Sequence, residues 1–96
     1  MEKTSLPANQ SQWISDNTYY VAENTILQSS GSNNIKRIKI IIEEGCTLSI
    51  SPSVKSFADE TEIEIDGELK IDSDVAFGTK TLLTIHAQLS THLKEK

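Results

Sequence analysis

The side chains best suited to chemistry are few in this sequence. His86 and His92 are the only imidazoles, Cys46 is the only thiol, and carboxylates crowd the stretch from Glu43 to Asp74. An imidazole beside a carboxylate can ligate zinc, and His86 with Glu64 is the candidate pair. Zinc takes three or four protein ligands, and spacing supplies no third, so no metal site is expected. A nucleophilic Cys46 needs an adjacent base, and none is arranged for it; it reads as a packed or half-buried thiol. Asp72 and Asp74 fall on one side of a strand, roughly 7 Å apart, as a glycosidase pair would. That spacing is common, and so short a chain builds no deep substrate groove. Calcium needs about six to eight converging oxygens, whereas strand alternation spreads carboxylates apart; Asp72–Asp74 is the best local candidate. The glycines at 31, 45, 67 and 78 are isolated and form no phosphate-cradling loop. No catalytic residue, cofactor or metal is therefore expected.

Composition narrows the function classes. The chain has 96 residues, enough for one domain with a small core, and a formal net charge of −5. An acidic surface is repelled by nucleic-acid phosphates and anionic membranes, so direct binding to either is not expected. One cysteine allows no intramolecular disulfide. The longest aliphatic run, Ile40-Ile41-Ile42, is far short of the ~20 residues of a membrane span. The N-terminal residues lack the apolar run of a secretory leader. These features point to a cytoplasmic or virion-associated protein.

Strands must position whatever sites exist, and the patterning supplies them. "YYVAENTILQS", "IKIIIEEGCTLSI" and "TEIEIDGELKI" each read as strand, turn, strand, and "TLLTIHAQL" alternates in the same way. "QSSGSNN", "SPSVKSFADE" and "DSDVAFGTK" read as loops. Superposing the segments gives a spacing of about 21–23 residues. Val21 falls on Ile42 and Ile42 on Ile65; Leu27 falls on Leu48 and Leu48 on Leu69; Ile63 falls on Ile85. Asn24, Gly45 and Gly67 share one corner slot, where tolerance of positive φ is useful. A fixed period of this length marks stacked repeats.

Short strands, small corner residues and aliphatic columns at this period resemble a right-handed parallel β-helix of the pectate-lyase and phage-tailspike kind, over about 19–89. The resemblance implies an all-β solenoid of three to four coils, with 1–18 as an N-terminal cap and 90–96 as a tail or short helix. Its core would hold Val21, Leu27, Ile40, Ile42, Leu48, Ile50, Ile63, Ile65, Leu69, Ile71, Leu83 and Ile85. The alternative is a small β-sandwich.

In a stack, outward residues form ladders. Lys39, Glu62 and Thr84 would share one; Tyr20, Ile41, Glu64 and His86 the next. Between Glu43 and Asp74 ten acidic residues face only Lys55 and Lys70. Glu43, Glu44, Glu62, Glu64, Asp66 and Glu68 are the candidate binding residues for a basic protein partner. The expected function is a non-catalytic binding or assembly module, homo-oligomeric through its open sheet edges. The alternatives are a small acidic inhibitor that occupies a basic groove on a nucleic-acid-binding protein, and a carbohydrate-binding or carbohydrate-active fragment.

Overall fold

Alternation at period two shapes every long strand. In Lys39–Ile42 and Glu62–Ile65 the second and fourth residues are fully buried isoleucines, and the others face outward. β-Branched side chains suit such a pleated, half-buried surface. The computed structural model describes residues 3–29, 35–71 and 73–91. It contains β1 (Thr18–Val21), β2 (Thr25–Leu27), β3 (Lys39–Ile42), β4 (Thr47–Ile50), β5 (Ser56–Phe57), β6 (Glu62–Ile65), β7 (Glu68–Ile71), β8 (Ala76–Phe77), β9 (Leu82–Ile85) and β10 (Gln88–Thr91). Strands β1, β3, β6 and β9 stack in that order as one sheet. Strands β2, β4, β7 and β10 form a second, and β5 and β8 a third. Every strand pair is parallel. The protein is therefore an all-β parallel solenoid of about three turns, not an antiparallel sandwich.

Successive partners in the first sheet, Tyr19 to Ile40 to Ile63 to Leu83, are 21, 23 and 20 residues apart. The repeat is as expected, but its registration differs at three points. Leu27 pairs with Ile50, not Leu48. Ile85 pairs with Ile65, not Ile63. Gly67 lies against Cys46, not Gly45. The cause is the corner between the first two sheets. It takes residues 22–24 in the lowest coil and 43–46 in the next, but only 66–67 and 86–87 above.

The expected shared glycine slot is likewise corrected. Only Gly45, in the longest corner, has a left-handed backbone, with φ +83°. Gly67 is needed for space, because a Cβ there would sit 2.2 Å from the Cys46 carbonyl oxygen. Asn24 works through its side chain: Oδ1 accepts the Thr47 N–H of the next coil at 2.9 Å. The recurrent left-handed position lies instead just before the first sheet. Asp16, Arg37, Glu60 and Lys80 hold it with φ of 65°, 56°, 61° and 60°. That conformation costs an L-residue about 1–2 kcal/mol. The N–H groups of Asp16, Arg37 and Glu60 offset it by donating to Lys36, Asp59 and Thr79 carbonyls in the coil above.

Of the residues expected in the core, all but Leu83 and Ile85 are buried. An aromatic column fills the third side, with Trp13, Phe57 and Phe77 at successive ring-centroid distances of 6.0 and 5.4 Å. The lead-in closes the lower end by winding beneath β1 and β2. Ser5 bridges Tyr20 and Asn9 bridges Gln28, both in parallel. Leu6, Gln10 and Trp13 are buried there, with Trp13 Nε1 donating to the Pro7 carbonyl at 3.0 Å and Gln10 Nε2 to that of Ser56 at 3.1 Å. Ile14 takes no part and is exposed.

The upper end differs. Ile85 is 48% exposed and Leu82 52%, while Leu83 and Leu89 are only half-buried. Ile85 leaves the core because no coil lies above β9 among the described residues. Strand β10 continues to Thr91, past the expected solenoid boundary. The rest of the expected tail, 92–96, lies outside the described residues, as does Asp72.

Candidate functional site

Strand β9 is an edge with one paired side. The Leu82, His86 and Gln88 N–H groups donate downward to the Thr61, Ile65 and Gly67 carbonyls at 3.0, 2.8 and 3.2 Å. In a parallel ladder the alternate groups, those of Leu83 and Ile85, face the other way. Exposed edges are usually blunted by charge, proline or a bulge. This one has little of that: from Val75 to Thr91 there is no Asp or Glu, and Lys80 and His86 are the only titratable side chains. Exposed Leu82, Ile85 and Phe77 add apolar surface to the same end.

The predicted carboxylates do not form one face. Glu62 is exposed and Glu64 half-buried on the outer side of β6. Asp66 occupies the corner after β6, with Glu43 and Glu44 in the corner below. Glu68 lies around the bend on β7, where its Oε1 accepts from Thr47 Oγ1 at 3.5 Å. Cations interleave with them. Lys3 Nζ meets Glu43 at 2.9 Å, and Lys39 Nζ lies 3.9 Å from Glu64 Oε1. The hydrogen bond from Lys3 to Glu43, with the carboxylate's charge, holds the Lys3 ammonium above its ordinary 10.5. Lys39 stands beside Glu62 in register, as expected, but its ammonium reaches Glu64.

Glu64, Asp66 and His86 come together. One donor atom from each lies within 4.8 Å of the other two, and His86 Nε2 is 3.8 Å from Glu64 Oε2. The register Ile65 to Ile85 places His86 directly above Asp66, in the corner, instead of on the Glu64 ladder, which continues to Thr84. Asp66 was missed as a neighbour of His86 for that reason. A signal existed: "IDGEL" at Ile65–Leu69 aligns with "IHAQL" at Ile85–Leu89 at a spacing of 20 residues. Cys46 is half-buried against the core. Asp74 is exposed.

A second charged feature runs up the left-handed corner as Asp16, Arg37, Glu60 and Lys80, alternating in sign. Arg37 Nε and Nη2 donate to the two Asp16 carboxylate oxygens. That hydrogen bond lowers the Asp16 carboxyl below its ordinary value and raises the guanidinium, with Glu60 adding to the latter.

No helix among the described residues is long and apolar enough to cross a membrane. Comparison of the chain with protein-family models, curated proteins and solved structures finds no match.

Proposed function

We propose that this protein is a non-catalytic interaction module that works by strand addition at its upper end and joins a second copy of itself there. The observation that carries this reading is the asymmetry of the solenoid. Residues 3–13 cover the lower edge, whereas β9 presents an unpaired, nearly charge-free edge beside exposed Leu82, Ile85 and Phe77. Solenoids need a polar cap at each end, and an uncapped end recruits a partner. Strand addition supplies main-chain hydrogen bonds for affinity. An edge without like charges meets its own copy without repulsion. Because the lower end is covered, copies meet upper end to upper end about a two-fold axis, which gives a closed dimer and not a filament.

Sedimentation equilibrium over a wide concentration range tests this. Wild-type protein is expected to form dimers, and the double substitution Leu82→Lys with Ile85→Lys should yield monomers that retain the β-sheet signature. A strict monomer at high concentration would remove the self-association reading.

A further inference from the structure

We infer that Glu64, Asp66 and His86 form a binding site for a divalent transition-metal ion of the zinc type. The inference does not depend on the dimer. Three features of the fold converge on it. Glu64 and Asp66 are two residues apart on one strand and its corner, so both carboxylates project on one side. His86 is stacked directly on Asp66 by the β6–β9 register. The corner backbone is pinned, with the Asp66 N–H donating to the Ile42 carbonyl at 2.9 Å and the His86 N–H to that of Ile65 at 2.8 Å. Only side-chain rotation separates donors within 4.8 Å from the ~3.3 Å separation that a tetrahedral ion with ~2 Å bonds requires.

Charge distinguishes this cluster from an ordinary solvated surface. Glu43, one coil below in the same corner, is matched by Lys3, and Glu64 meets Lys39. Asp66 has no ion-pair partner among the described residues, although it lies between Glu43 and His86. A metal ion above Asp66 supplies the missing positive charge, and the long, exposed Lys39 contact yields to it easily. One imidazole with two carboxylates suits zinc, cobalt or nickel. Calcium would need about six to eight oxygens, and magnesium an octahedral oxygen shell. Three protein ligands leave a position for water or for a group from a partner protein.

The test is calorimetric titration of metal-free protein with Zn²⁺, paralleled by Co²⁺ absorption spectra, on the wild type and the dimer-breaking variant. One ion per chain is expected in both. His86→Gln should abolish binding. Asp66→Asn should weaken it about tenfold or more, since even groups behind the ligands contribute that much. Cys46→Ser and His92→Gln should leave it intact. In wild-type protein the His86 ring resonances should shift on Zn²⁺ addition while those of His92 stay, a readout that survives if a variant fails to fold. Absence of saturable binding, or binding that persists in His86→Gln, would overturn the assignment.

Discussion

Arg37 stands one coil above Asp16 and grips both of its carboxylate oxygens, while each residue holds a left-handed backbone. The pair is the lower half of a corner that continues through Glu60 to Lys80. Alternating charge lets four strained residues stack without repulsion. Arg37→Glu would place three acids in succession and should lower the melting temperature by several degrees. Because the corner is exposed, added salt should shrink that loss, as screening predicts. A loss insensitive to salt would point to the arginine stem and not its charge.

The same pair sets a pH dependence. The folded-state carboxyl of Asp16 is held below its ordinary 3.8 by the bond to Arg37. Its stabilising contribution is therefore complete above that value and disappears as pH falls through the lower, folded-state value. Asp16→Asn should flatten thermal stability against pH in that acidic window and leave the slope near neutrality unchanged. An unchanged acid limb would separate Asp16 from acid unfolding.

Gly67 tests the close approach of two coils. Gly67→Ala drives a methyl group into the Cys46 carbonyl and should destabilise the fold by about 1–3 kcal/mol in urea unfolding, the range for overpacking. Gly45→Ala meets no atom within 4 Å but must hold φ +83°, so its loss should be smaller, about 1 kcal/mol. Reversal of that order would contradict the corner assignments.

Trp13 closes the lower end and heads the aromatic column. Trp13→Ala should cost about 3–5 kcal/mol, as large buried truncations do. It should also loosen the cover on β1, so that light scattering detects species larger than a dimer. Loss of stability without larger species would mean that residues 3–12 hold the edge alone.

The strands were legible because aliphatic residues at period two, repeated near 22 residues, leave little else for this chain to form. The corners were not. Glycine and asparagine are visible signals of positive φ, yet here Arg37, Glu60 and Lys80 adopt it. For Arg37 and Glu60 the cross-coil N–H bonds that hold it have no sequence signature. Strands β5 and β8 span two residues each, too short for alternation to register, so they read as loops with Phe57 as an isolated apolar contact. The two-residue corner at 86–87 shifted the last coil by two positions. That shift exposed Ile85 to the open end and carried His86 from the Glu64 ladder onto Asp66.

Hydrogen exchange measured as a function of protein concentration tests the closed-below, open-above solenoid most directly. The Tyr20 and Gln28 amides, which donate to the Thr4 and Ala8 carbonyls of the lead-in, should be protected at every concentration. The Leu83 and Ile85 amides should exchange freely when dilute and become protected as concentration rises, with that gain lost in Leu82→Lys with Ile85→Lys. Fast exchange at Leu83 and Ile85 at all concentrations, or fast exchange at Tyr20 and Gln28, would contradict the account.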